Sequence, residues 1–252
     1  MKKTFCKKHN FPALSSFPEN INTDVEVIEI YRNQIKTLEV SNIFPNLEKL
    51  DVSDNKIEEL PEEICKNFPN LKIFDLSFNL LKRVPKFGSS TLKELYLHCN
   101  DISDSTTDCD KCGGGESGNI GRNEPLSFNY INLEKIDLAC NCIHQIPLIE
   151  SINMRELYLA SNHIKHINYE YLQRLPKLET LSLESNLIES IDCNLLPKSI
   201  TTLLLSQNPM LVKIENLESL INLELLDLSR TKIGELPPNL SENVEVWVED
   251  LL

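Results

Sequence analysis

A chain of 252 residues, a quarter of them charged and 41% hydrophobic, is long enough for one or two folded domains and too apolar for a disordered chain. Its formal net charge of −13 argues against general affinity for phosphate backbones or anionic membranes, so nucleic acid is not an expected partner. No apolar run approaches the roughly 18 residues needed to span a bilayer, so membrane insertion is not expected.

The first residues, "MKKTFCKKHNFPALSSFP", are basic but lack an apolar core, which makes them a poor secretory leader. Without such a leader the eight cysteines are expected to be reduced thiols, and the protein to be cytoplasmic or nuclear. Residues 1–24 are read as an N-terminal cap. Phe11, Leu14, Phe17 and Ile21 could cover the apolar end of the structure that follows.

From Val25 onward one pattern recurs, L-x-x-L-x-L-x-x-N-x-I. It reads "VEVIEIYRNQI" from Val25, "LEKLDVSDNKI" from Leu47, "LKIFDLSFNLL" from Leu71 and "LKELYLHCNDI" from Leu92. It continues as "LEKIDLACNCI" from Leu133, "MRELYLASNHI" from Met154, "LETLSLESNLI" from Leu178 and "ITTLLLSQNPM" from Ile200. A ninth copy, "LELLDLSRTKI" from Leu223, places Thr231 where the others have asparagine. The asparagines at 33, 55, 79, 100, 141, 162, 186 and 208 are spaced by 22, 24, 21, 41, 21, 24 and 22 residues.

The physics of this spacing is specific. The x-L-x-L segment has period two, so each copy supplies a short strand with alternate side chains inward. One strand cannot bury its apolar side alone, but stacked copies share a continuous core. An amide side chain both donates and accepts, so stacked asparagines can satisfy the backbone as it turns away from the sheet. These asparagines are therefore structural and not catalytic.

Over residues 25–248 the chain resembles the leucine-rich repeat superfamily. The resemblance implies an α/β solenoid: a curved right-handed horseshoe with a parallel concave sheet and short helical, 3-10 or extended convex segments. Mixed repeat lengths and "LP" turns resemble intracellular Ras-group-like repeat proteins. The resemblance is less close to the leucine-rich-repeat regulatory subunit of type-one serine/threonine protein phosphatase. "LPEEICKNFPN" and "INYEYLQRLPK" read as short helical returns, and "VPKFGSST" and "IPLIESIN" as tighter or extended ones. At the far end, "LSENVEVWVEDLL" could close the stack with Val244, Val246 and Val248 inward and Trp247 outward, leaving 249–252 as a tail.

Between the fourth and fifth copies the step is 41 residues, and the surplus falls at about 103–124. Five of the seven glycines lie here, with Cys109 and Cys112 in a C-x-x-C. The segment lacks the G-K-[ST] of a phosphate loop. A surface loop is the default reading. Cys99 and Cys140 precede equivalent asparagines, so they should meet beneath the loop. Zinc held by Cys99, Cys109, Cys112 and Cys140 is one alternative, with Cys142 and His163 in reserve. A Cys99–Cys140 disulfide is another, opposed by the expected compartment. No other cofactor is expected.

Solenoids of this kind bind through the concave face. The outward column between the second and third leucine positions includes Asp51, Asp75, Tyr96, Asp137, Tyr158 and Asp227; the next includes Tyr31 and His98. Aromatic rings among charges are the composition of interaction hot spots. The expected function is a non-enzymatic protein-binding scaffold, monomeric, with a partner protein on this face. Alternatives are a phosphatase regulatory subunit and a secreted recognition protein. Catalysis is not expected, because no nucleophile–base pair falls in an enclosed site.

Overall fold

The structure, a computed structural model, describes residues 2–7, 13–85, 91–104, 125–235 and 240–249. Nine strands of three residues each fall where the pattern places them: Val27–Glu29, Lys49–Asp51, Ile73–Asp75, Glu94–Tyr96, Lys135–Asp137, Glu156–Tyr158, Thr180–Ser182, Thr202–Leu204 and Leu225–Asp227. We number the coils that carry them 1 to 9. Each strand pairs in parallel with the next and the central residue of each aligns with its neighbours', Ile28 with Leu50, Leu50 with Phe74 and so on to Leu226.

Those central residues are fully buried in every coil. So are the residues two positions on, such as Ile30, Val52, Leu76, Leu97 and Leu138. Each such side chain contributes about 1.5–3 kcal/mol by leaving water, which is why the stack and not any single coil is the stable unit.

Two further strands extend the sheet to eleven. Thr4–Cys6 pairs with coil 1, and Glu245–Trp247 pairs with coil 9. They cap the open ladders of backbone groups that the end coils would otherwise present. Phe17 and Ile21 are buried in the first end of the core, while Leu14 packs against it. Phe11 lies outside the described residues. At the other end Val244 and Val246 pack against the core, but Val248 is exposed. The inward expectation for Val248 is corrected: backbone pairing with coil 9 continues as far as Glu249, but Val248 stays exposed just past the outermost strand of the sheet.

The asparagine ladder is built as the chemistry requires. In coil 6, Asn162 Nδ2 donates to the carbonyls of Leu138, Leu159 and Ala160 at 3.0, 3.1 and 3.2 Å. Its Oδ1 accepts from Ile143 N at 3.0 Å. The same four-bond arrangement recurs at Asn55, Asn79, Asn100, Asn141, Asn186 and Asn208. Thr231 makes one such bond, to Leu228 O at 2.8 Å.

The residue before each ladder position is left-handed in all nine coils: Arg32, Asp54, Phe78, Cys99, Cys140, Ser161, Ser185, Gln207 and Arg230, with φ between 51 and 57°. None is glycine, so each carries a steric cost of about 1–2 kcal/mol that the buried amide network offsets.

The return segments differ in length and form. A 3-10 turn at Ile64–Asn67 and a short α-helix at Tyr169–Gln173 occupy the two returns read as helical. Leu148–Ile149 is extended and pairs with Ser127–Phe128, while Ser190–Asp192 pairs with Lys213–Glu215.

Candidate functional site

The strands leave one face of the sheet open, and its middle carries an aromatic and charged cluster. Coils 4 and 6 share the triplet Glu-Leu-Tyr, so Tyr96 and Tyr158 stand on either side of coil 5. Each hydroxyl donates to the glutamate two residues earlier, Tyr96 to Glu94 at 2.8 Å and Tyr158 to Glu156 at 2.9 Å. Lys135 of coil 5 reaches between them. Its Nζ lies 5.6 Å from the Tyr96 ring centre, 5.0 Å from that of Tyr158, and 2.7 Å from Glu156. Ring faces attract the ammonium, by about 0.5–1 kcal/mol each at exposed sites. Each tyrosine is thereby tethered to its own strand and to Lys135.

Beside this clasp, His98 Nδ1 approaches Asp137 Oδ2 to 3.1 Å, an ion-pair contact without the alignment of a full hydrogen bond. Phe78 meets the imidazole edge-on, with ring centres 5.1 Å apart, and is itself 52% exposed. Asp137 raises the His98 pKa above its usual value, outweighing the opposing effect of burial. Burial, with the nearby Glu156 carboxylate, pushes the Tyr158 hydroxyl up to about 12 and moves Tyr96 the same way with Glu94. Both phenols are therefore neutral donors at physiological pH.

The carboxylates of the open face are tied to the turning backbone. Asp51 accepts from Ser53 N and Oγ at 3.1 and 2.6 Å, and Asp75 from Ser77 N and Oγ at 2.9 and 2.6 Å. Asp137 accepts from Ala139 N, and Asp227 from Ser229 N. Asp51 and Asp75 are register partners. Burial, with Asp75 adding repulsion, raises the Asp51 pKa. Among the described residues no cation forms an ion pair with Asp51, Asp75 or Asp227.

The structure brings Tyr96, His98, Asp137 and Tyr158 into one patch, with Asp75 one coil away. It does not bring in Tyr31, half-buried on coil 1, or Asp227, which pairs in register with Trp247 at the far end. Sequence reasoning missed Lys135, Glu94, Glu156 and Phe78. The twin Glu-Leu-Tyr triplets were the available signal for Glu94 and Glu156. Phe78 precedes a ladder asparagine, a position whose left-handed backbone swings the ring towards the rim.

At the root of the insertion, Asp104 accepts from His144 N and Gln145 N, both at 2.9 Å, and lies 3.1 Å from His144 Nδ1. Its side chain is 1% exposed. Residues 105–124, with Cys109 and Cys112, lie outside the described residues. Among the described residues no group of three or more His, Cys, Asp or Glu is placed to hold a metal ion. Cys99 and Cys140 are free thiols, whereas Cys142 is disulfide-bonded and offers no thiolate. No helix among the described residues is long and apolar enough to cross a membrane.

Family models described as leucine rich repeat match residues 45–102, 152–210 and 222–243, more than half of the chain. The chain is a leucine-rich repeat protein.

Among curated relatives, an Arabidopsis thaliana disease resistance protein is 36% identical over 117 residues, 44% of this chain and 12% of its own length. Rat (Rattus norvegicus) osteomodulin is 25% identical over 67% of this chain and 37% of its own. Mouse (Mus musculus) podocan is 25% identical over 82% of this chain and 41% of its own. The chain thus spans less than half the length of each.

The solved leucine-rich repeat domain of APL1 superposes with a TM-score of 0.66 at 20% identity, covering 91% of this chain and 56% of that one. The Toll–Spätzle complex of Drosophila gives 0.63 at 20% identity, covering 94% of this chain and 34% of that one. At such identities the likeness is of fold alone. It places the open sheet of this leucine-rich repeat protein on the inner wall of the solenoid.

Proposed function

We propose that this leucine-rich repeat protein is a non-enzymatic scaffold that binds a partner protein on the inner wall of its sheet, centred on coils 4 to 6. The observation that carries the reading is the Tyr96–Lys135–Tyr158 clasp. Two tyrosines pinned by their own glutamates, beside an exposed Phe78, are rigid amphipathic groups that lose little entropy on contact. The surrounding carboxylates Asp51 and Asp75, which form no ion pair among the described residues, favour a partner segment bearing lysine or arginine. The open wall lacks the enclosure that would exclude water from a reaction, which supports a binding role over a catalytic one.

The experiment is site-specific photocrosslinking. A photoreactive phenylalanine analogue replacing Tyr158, or replacing exposed Phe78 as a second site in the same patch, is expected to capture the same partner. The same group at exposed Glu62, on the return side, is expected to capture none. Capture from Glu62 alone would reject the inner wall as the binding face.

One observation favours a second reading of where the protein works. Cys142 is disulfide-bonded, and disulfides persist mainly in oxidising compartments. That supports a secreted recognition protein over the cytoplasmic scaffold expected because the first residues make a poor secretory leader. Thiol counting on protein recovered from its native source, with alkylation before lysis, separates the two: a free Cys142 supports the cytoplasmic reading.

A further inference from the structure

Coils 4 and 5 flank the insertion, and each carries a cysteine immediately before its ladder asparagine. The register of their strands, Glu94 with Lys135 and Tyr96 with Asp137, sets Cys99 beside Cys140. The pairing persists past the strands, since Cys99 N donates to Ala139 O at 2.9 Å. Neighbouring parallel strands lie roughly 4.8 Å apart, within the roughly 4.4–6.8 Å that disulfide-bonded Cα atoms span. Both residues are left-handed, at φ 53 and 55°, so their side chains leave the backbone in the same sense. The Cys99 and Cys140 side chains are close enough to influence each other's ionisation, and both thiols are free. Cys140 is exposed and Cys99 half-buried. The other free cysteines among the described residues, Cys6, Cys65 and Cys193, lie on the first strand or on return segments, away from this pair.

We propose that Cys99 and Cys140 form a redox-active dithiol that a low-molecular-weight disulfide, such as oxidised glutathione, closes into a cross-coil disulfide. The exposed Cys140 thiolate attacks one sulfur of the small disulfide; that S–S bond breaks, one small thiolate leaves, and Cys140 holds a mixed disulfide. Cys99, already against it, loses its proton to solvent and attacks Cys140 Sγ. The mixed S–S bond breaks, the second small thiolate leaves, and a Cys99–Cys140 bond forms. Two protein thiols are oxidised, and one small disulfide is reduced to two thiols. Burial, with the neighbouring Cys140, pushes the Cys99 thiol up to about 11, so it is the resolving sulfur and not the first to react.

The bond would staple coil 4 to coil 5 at the mouth of the 41-residue step, on the rim that carries His98 and Phe78. This places oxidation at the edge of the inner wall, but the dithiol stands whether or not that wall is the binding face.

The test uses the full chain. Protein is treated with oxidised glutathione, alkylated and cleaved before aspartate, which separates Cys99 from Cys109 at Asp101. The expected result is a Cys99 peptide cross-linked to the peptide of Cys140, lost in both Cys99→Ser and Cys140→Ser. Both variants should fold, because coils 6 and 7 carry serine at this position, Ser161 and Ser185. Cys99→Ser should instead trap one glutathione on Cys140. The proposal is overturned if wild type keeps both thiols alkylatable, if it stops at the mixed disulfide, or if the Cys99 cross-link survives in Cys140→Ser.

Discussion

Replacing Asn162 with alanine isolates the ladder. The side chain makes four bonds, three from Nδ2 to carbonyls of coils 5 and 6 and one from Ile143 N to Oδ1. Two amide protons serve three carbonyls, so the donor side is worth about two hydrogen bonds, each contributing roughly 0.5–1.5 kcal/mol net. The acceptor side costs more when removed. Ile143 is fully buried, and its N–H would be left without a partner at a cost of about 1–3 kcal/mol. The sum is about 2–6 kcal/mol, a melting-temperature loss on the order of 10 °C for a chain of this size. Thr231→Ala is the internal control. It removes one bond, to Leu228 O, and should cost about 1 kcal/mol. Urea unfolding of both variants, followed by circular dichroism, measures the difference. If Asn162→Ala and Thr231→Ala shift the midpoint equally, the amide ladder does not hold the turning backbone and the reasoning fails.

Phe74 fills, fully buried, a central strand position that the neighbouring coils give to leucine, so Phe74→Ala should cost about 3–5 kcal/mol by urea unfolding; a loss under about 1 kcal/mol would mean the core there collapses around the gap. Asp104→Ala strips an acceptor from two backbone N–H groups at the root of the insertion and should cost about 2–3 kcal/mol. Its local signature is faster amide exchange at His144 and Gln145. The His98 imidazolium is favoured in the folded chain by Asp137, so its folded pKa lies above the reference 6.5. The resulting stability is complete below the reference value and fades as pH rises through the folded pKa. The stability difference between wild type and His98→Gln should therefore be larger at pH ~5.5 than at ~8.5, and a difference that grows with pH contradicts the pairing.

The regular part of this molecule was legible because its physics is periodic. Leucine spacing gave the strands, from a local rule repeated nine times, and the asparagines gave the ladder, from one repeated eight times. Features without a period were not legible. The Thr4–Cys6 strand offers one apolar residue, Phe5, and its pairing with coil 1 is decided by the exposed ladder edge rather than by its own pattern. The left-handed residues escaped notice because arginine, phenylalanine and cysteine occupy positions where glycine would have announced them. In the site, the outward columns gave Tyr96, His98, Asp137 and Tyr158. Lys135 was hidden because it stands in a third column, before the buried Ile136, and only the register of three coils shows it lying between two rings. Tyr31 and Asp227 share the columns but not the cluster, since a column spans the whole stack.

The binding claim is tested most directly by the affinity of the photocaptured partner, purified, for wild type, Tyr96→Ala/Tyr158→Ala and Glu62→Ala/Glu63→Ala. The inner-wall double variant is predicted to weaken binding by about 100-fold, the effect of losing two hot-spot side chains. The return-side variant should stay within about 2-fold, as expected for exposed charges away from an interface. Unchanged affinity for the tyrosine variant, in a protein that melts as wild type does, would contradict the account.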